Sequence, residues 1–99
     1  MSSGNIYRDA LEVLRRDGWT KEVRHDPDSN EKCLVGALDS VCGRQVWYDD
    51  PILEPLNEIA RTEFGYSDGT VWGAAVIMND DRSTRFGDIE TLLEKAAAG

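Results

Sequence analysis

The sequence predicts a mainly α-helical fold, a compact four- to five-helix single domain over residues 1–99, and three observations carry that prediction. Apolar residues recur at helical spacing in several segments, separated by glycine, proline, aspartate and asparagine. With 99 residues, 40% hydrophobic and 30% charged, the chain has a globular composition and room for one modest core. The third observation is the lack of a convincing pair of long strands, which leaves at most a short two-stranded β-ribbon joining Thr20–Arg24 to Gln45–Tyr48.

Helical period places the first helix over residues 5–17, with Ile6, Tyr7, Ala10, Leu11 and Leu14 on one stripe. Asn5 or Ser3 suits the start, and Gly18 suits a left-handed end. Thr20 to Asn30 is polar and reads as a loop, closed by the turn residues Asp26-Pro27-Asp28-Ser29-Asn30. Asn30 is then expected to cap a second helix, with Glu31 in its first turn, Leu34, Ala37, Leu38 and Val41 inward, and Gly43 at its end. Gly36 in mid-helix costs about 1 kcal/mol relative to alanine, which predicts a helix or an aromatic ring crossing closely there.

Pro51 suits a helix start after Asp50, yet Pro55 would clash with the carbonyl of residue 51 in a continuous helix. The main third helix is therefore expected from Pro55 to Gly65, burying Leu56, Ile59, Ala60 and Phe64. Val71 to Met78 is an unbroken apolar and glycine run, assigned to a helix on Ala74, Ala75 and Met78, with Asp68 or Thr70 as cap. A last helix, Phe86 to Ala97, carries Phe86, Ile89, Leu92, Leu93 and Ala96 inward, with Ser83 or Thr84 as cap.

Eleven basic and nineteen acidic residues give a net charge of −8, which opposes direct binding to nucleic acid or to anionic lipid. No apolar run approaches about 18 residues and no charged-then-apolar leader stands at Met1-Ser2-Ser3-Gly4, so a membrane partner is not expected and a reducing cytoplasm is. In one helix Cys33 and Cys42 would lie about 13 Å apart, beyond disulfide reach and too far to share one zinc ion with His25.

Asp26, Asp28 and Asn30 begin like a calcium loop, but Glu31 replaces the turn glycine and Ala37 the closing glutamate. Neither a metal nor a cofactor is called for, and no catalytic residue is assigned. A thiol nucleophile would need His25 beside Cys33, whereas a cysteine in an apolar helical turn more often packs as a small hydrophobe. Asn79-Asp80-Asp81 sits between two helices, where side-chain oxygens satisfy helix ends.

The amphipathic first helix, a Gly-Trp turn, Cys33-Leu34-Val35-Gly36-Ala37-Leu38, and Asn79-Asp80 ahead of a Leu-Leu-x-x-Ala helix recur here in order. This set resembles a family of small uncharacterised actinobacterial and actinophage proteins. The family's common form reads Cys-Leu-x-Gly-Ala-Leu, then Trp-Asn-Asp, then Arg-Thr; this chain has Met78 in place of the tryptophan and the order Thr84-Arg85. The resemblance covers most of the chain and implies an actinobacterial or phage setting, with host cytoplasm as the location if phage-encoded. It supplies no reaction.

The expected function is a small acidic, non-catalytic protein-binding module, in that setting a phage-derived modulator of a host protein. Trp47, Tyr48, Asp49, Asp50, Glu54 and Glu58 are the candidate partner-binding residues, because large amphipathic rings beside carboxylates suit a recognition surface for an unidentified protein. The competing readings are a small-ligand or hydrolytic site around His25, Cys33 and Asp80, and an acidic nucleic-acid mimic.

Overall fold

A computed structural model describes residues 5–21 and 23–99 of the chain. Among these residues five α-helices follow one another: α1 (Ile6–Asp17), α2 (Leu34–Cys42), α3 (Glu54–Glu63), α4 (Ala74–Asp80) and α5 (Phe86–Ala98), with a 3-10 turn, Pro51–Leu53, leading into α3. Helix α1 packs against α2 and α5, α3 packs against α4 and α5, and α2 reaches α4. One core results, in which Leu14, Leu34, Leu38, Leu56, Met78 and Leu92 are fully buried. The Cα radius of gyration of 12.2 Å fits a single compact unit, for which roughly 13 Å is usual at 100 residues. Among the described residues no helix is long and apolar enough to cross a membrane.

The mainly α expectation holds, and α1 begins as its sequence indicates: Asn5 Oδ1 accepts from Arg8 N at 3.1 Å. Ser3, the other candidate cap, lies outside the described residues. Gly18 ends the helix at a φ of +99° with an extended ψ of 153°, not the left-handed helical position. Its amide still donates to Leu14 O at 2.8 Å, which satisfies one of the last carbonyls of α1.

Helix α2 starts three residues later than the Asn30 cap implies, at Leu34. Lys32 is committed elsewhere: its amide donates to Gly18 O at 3.1 Å, and its carbonyl accepts from Thr20 N at 3.0 Å. Asn30 itself turns the chain at a φ of +66°. Cys33 therefore takes the cap position, its Sγ accepting weakly from Gly36 N at 3.4 Å. The end is as expected, with Gly43 in the left-handed region and its amide bonded to Asp39 O.

The close approach expected at Gly36 is real, but the crossing element is neither a helix nor a ring. A Cβ at this position would lie 1.8 Å from the backbone carbonyl oxygen of Arg24. The loop thus presses its main chain onto α2, and the Arg24 carbonyl accepts from Cys33 N at 3.4 Å. Only a residue without a side chain leaves that space.

The ribbon takes a different form from that expected. Among the described residues, isolated bridges join Trp19 and His25 to Lys32, and none joins the loop to Gln45–Tyr48. Those two segments meet through a side chain instead: Arg24 Nη2 donates to Val46 O at 2.9 Å and Nη1 to Asp39 Oδ2 at 2.7 Å, while Val46 N donates to Asp39 Oδ1 at 2.6 Å. Val46 is consequently buried in a segment with no regular structure.

Pro51 does start a helical turn, capped by Asp50 Oδ1 accepting from Ile52 N at 3.1 Å, and α3 follows from Glu54 with Pro55 in its first turn. Helix α4 begins at Ala74, three residues after the apolar run begins, and extends to Asp80. Its first amides have side-chain partners: Asp68 Oδ1 accepts from Ala74 N at 2.9 Å, as the sequence suggests, and the buried Asn57 Oδ1 of α3 accepts from Ala75 N at 3.0 Å. Helix α5 is entered through Arg85, whose amide donates to Asp88 Oδ2 at 3.0 Å. Ser83 and Thr84 do not cap it, because the Ser83 hydroxyl is bonded to Asp81 and the Thr84 hydroxyl to Tyr66.

Candidate functional site

Tyr48 and Trp72 build the aromatic centre of one surface although they are far apart in sequence. Their rings meet edge to face with centroids 6.3 Å apart, a favoured arrangement of ring quadrupoles. Arg24 lies over the Trp72 ring with its guanidinium carbon 5.6 Å from the centroid. Trp47 and Tyr48 are 57% and 52% exposed, and Val71, at 56%, adjoins Trp72 in the chain. Val71 faces outward because α4 starts only at Ala74, which leaves the head of the apolar run in a loop.

A small pocket opens beside these rings, with a volume of about 200 Å³. Val23, Val35, Trp72 and Val76 provide its apolar walls, and Arg24, Cys33 and Asp80 complete it. Burial pushes the Cys33 thiol above its ordinary range, against the opposing effect of the Gly36 amide bonded to its sulfur. A thiol in that state is a poor nucleophile at neutral pH.

His25 is not brought to that pocket. It lines a separate recess of about 320 Å³ with Arg24, Lys32 and Asp39, and its Nε2 is 2.8 Å from Asn30 Oδ1. Of the three residues in the hydrolytic reading, then, Cys33 and Asp80 share a cavity and His25 faces another. Asp26 and Asp28 take part in a backbone turn, with Asp28 N donating to Asp26 Oδ1 at 2.9 Å. Both cysteines are free.

The six residues singled out from Trp47 to Glu58 have divided roles. Trp47, Tyr48 and Asp49 are exposed. Asp50 is occupied internally: it pairs with Arg44 as well as capping the 3-10 turn, and the Arg44 guanidinium holds its carboxyl below the usual range. Glu54 is 2.6 Å from Arg61, which also holds Asp68 at 2.9 Å. Glu58 lines a groove of about 630 Å³ with Tyr7, Ile59 and Lys95, where α1, α3 and α5 meet.

Sequence reasoning missed Val23, Arg24, Val71 and Val76 as neighbours of the rings. Val23 offered a faint signal, as a valine in a polar loop, whereas Val71 offered none, because a helix over 71–78 places it on the stripe of Ala74, Ala75 and Met78. The pairing of Trp72 with Tyr48 had none.

Asn79 satisfies a helix end, but not one of the two it was expected to serve: Asn79 and Asp80 lie within α4, and the amide reaches the start of α2 instead of the α4–α5 junction. Its Oδ1 accepts from Trp19 Nε1 at 2.7 Å and from Leu34 N at 3.1 Å, and its Nδ2 donates to Asp80 Oδ1 at 2.9 Å. One buried amide therefore joins α4 to the start of α2 and to the segment leaving α1. Asp81 holds the next turn by accepting from Ser83 N at 2.8 Å.

Comparison with curated proteins and with solved structures found no match. A family model does match, over residues 2–99, and its description reads family of unknown function, DUF6197. By that match, which spans nearly its whole length and includes the Cys33–Leu38 helix start and the Asn79 junction, the chain belongs to the DUF6197 family.

Proposed function

We propose that this protein is a small acidic, non-catalytic protein-binding module that docks on another protein through the surface beginning at Trp47 and Tyr48. The observation that carries the reading is the exposure of those two rings, 57% and 52%, on a surface whose geometry is held by Trp72 beneath Tyr48. A pre-positioned aromatic pair lowers the ordering cost of association, and tryptophan and tyrosine dominate binding hot spots. Asp49 adds exposed negative charge beside the rings, and the net charge of −8 favours a basic partner surface.

The resemblance to actinobacterial and actinophage proteins supplies the setting: a phage-derived modulator of a host protein, acting in the host cytoplasm. Pull-down from an actinobacterial lysate tests the reading, comparing wild type with Trp47→Ala/Asp49→Lys. Asp50 is left intact because it caps the turn into α3. A specific partner recovered by wild type and lost with the variant supports the proposal, and an unchanged set of recovered proteins rejects it.

A further inference from the structure

We propose that the pocket between Val23, Val35, Trp72 and Val76 is an anchor site for one aliphatic side chain of a basic partner segment. The inference rests on the protein-binding reading and specifies what that partner presents. Three observations support it: the size of the pocket, its chemistry and the charge around it.

The pocket holds about 200 Å³, smaller than the roughly 300–1,000 Å³ of sites that enclose whole small molecules. It is the right scale for a single side chain entering from a surface. Three valines, one tryptophan and the protonated Cys33 thiol offer apolar contact. Its one cationic group, Arg24, already has both Nη atoms engaged, by Asp39 and by the Val46 carbonyl, and its face covers Trp72. Arg24 thus shapes the wall instead of recruiting an anion. The pocket's carboxylate, Asp80, is likewise engaged within the protein, its Oδ1 accepting from Asn79 Nδ2 at 2.9 Å. Among the described residues every buried side-chain nitrogen and oxygen has a hydrogen-bond partner.

Charge selects the rest of the segment. Around the rings, Arg24 and Arg44 are paired with Asp39 and Asp50, whereas Asp49 is exposed, and the molecule as a whole carries −8. Lysine or arginine flanking the anchor would be drawn to this surface, and its guanidinium or ammonium would find the exposed faces of Trp47 and Tyr48. An apolar anchor in a small pocket, ringed by amphipathic aromatics, is how hot spots exclude water.

Random dodecapeptides displayed on phage and panned against the folded full chain provide the probe. The expected outcome is enrichment of peptides with excess lysine or arginine and one essential Leu, Ile, Val or Met. Synthetic versions should lose at least about tenfold in affinity when that residue becomes alanine, and as much on Val23→Lys, an exposed-position change at the pocket mouth that leaves the core intact. Protection of Cys33 from alkylation by the bound peptide gives a second readout without any substitution. Peptides that depend on Trp47 but ignore Val23→Lys, tolerate loss of the aliphatic residue and leave Cys33 alkylation unchanged overturn the pocket inference alone. Enriched peptides that are acidic overturn the basic-partner assignment. Peptides indifferent to Trp47→Ala, or no enrichment over an unrelated acidic protein, count against the docking surface itself and the pocket with it.

Discussion

Trp19 Nε1 donates to the buried Asn79 Oδ1 at 2.7 Å, and the same oxygen accepts from Leu34 N at 3.1 Å. This amide ties α4 both to the first amide of α2 and to the segment leaving α1. Asn79→Ala leaves the buried Leu34 amide and the part-buried Trp19 indole without their acceptor, and is expected to cost about 2–4 kcal/mol, since a fully buried donor left unpaired loses about 1–3 kcal/mol and a partly exposed one less. Urea unfolding followed by circular dichroism measures it, and a loss below 1 kcal/mol would show that the junction is replaceable.

Gly36 and Gly87 should respond to alanine with opposite signs. Both are helical, yet a Cβ at Gly36 meets the Arg24 carbonyl oxygen at 1.8 Å whereas one at Gly87 meets nothing within 4 Å. Gly87→Ala is expected to stabilise by up to about 1 kcal/mol through reduced backbone entropy. For Gly36→Ala the clash outweighs that gain, and a net loss of about 1–3 kcal/mol is expected in matched denaturant titrations.

Acid should erode stability through Asp17. Its carboxylate is 2.9 Å from Arg16 Nη2 and 2.8 Å from Lys32 Nζ, and the Arg16 and Lys32 hydrogen bonds hold its pKa well below the usual range. A carboxyl with a lower pKa in the folded chain stabilises fully above the unfolded value of about 3.9 and loses that contribution as pH falls toward the folded value. Urea midpoints measured from pH 7 to pH 2 should therefore decline below about pH 4. Asp17→Asn should lower the midpoint at pH 7 and flatten the acidic limb; a limb as steep as that of wild type would refute the assignment.

The two cysteines should label at different rates. Cys33 is 8% exposed and burial raises its thiol pKa, while Cys42 is only partly buried. Iodoacetamide at neutral pH is expected to modify Cys42 first and Cys33 only slowly, with both reacting in urea. Peptide mapping by mass spectrometry distinguishes the sites, and rapid modification of Cys33 in the folded protein would contradict its packing role.

Trp47→Ala should be nearly silent in stability, within about 0.5 kcal/mol, because the side chain is 57% exposed. Trp72→Ala is expected to cost more, since the ring is partly buried, meets Tyr48 edge to face and lies under Arg24. Thermal melts of the two variants settle the contrast. A Trp47 variant that melts as low as the Trp72 variant would mean that Trp47 is structural.

Much of the architecture is legible in local pattern. Period and punctuation were enough for α1 with its Asn5 cap and for the Gly43 end of α2, because caps and stripes are set within a few residues of each other. Period alone does not assign residues 71–78, where the helix rests on Ala74, Ala75 and Met78, and the helix found begins only at Ala74. Asn79 was legible as a residue whose side chain satisfies a helix end, but that the end belongs to α2, 45 positions earlier, was not. The candidate surface was legible only in part. Trp47 and Tyr48 stand out as rings in a polar loop, but nothing local shows that Asp50 and Glu54 are consumed by Arg44 and Arg61.

The sequence by itself determined a mainly α-helical chain with one core, free cysteines, and a glycine in α2 that demands a close neighbour. Tertiary structure alone decided that the neighbour is the Arg24 carbonyl, that Lys32 delays α2 by pairing with Gly18 and Thr20, and that Trp72 lies under Tyr48 beside a pocket. Helical period is a property of a few consecutive residues, whereas the path of a loop is chosen by hydrogen bonds and ring contacts between residues distant in the chain.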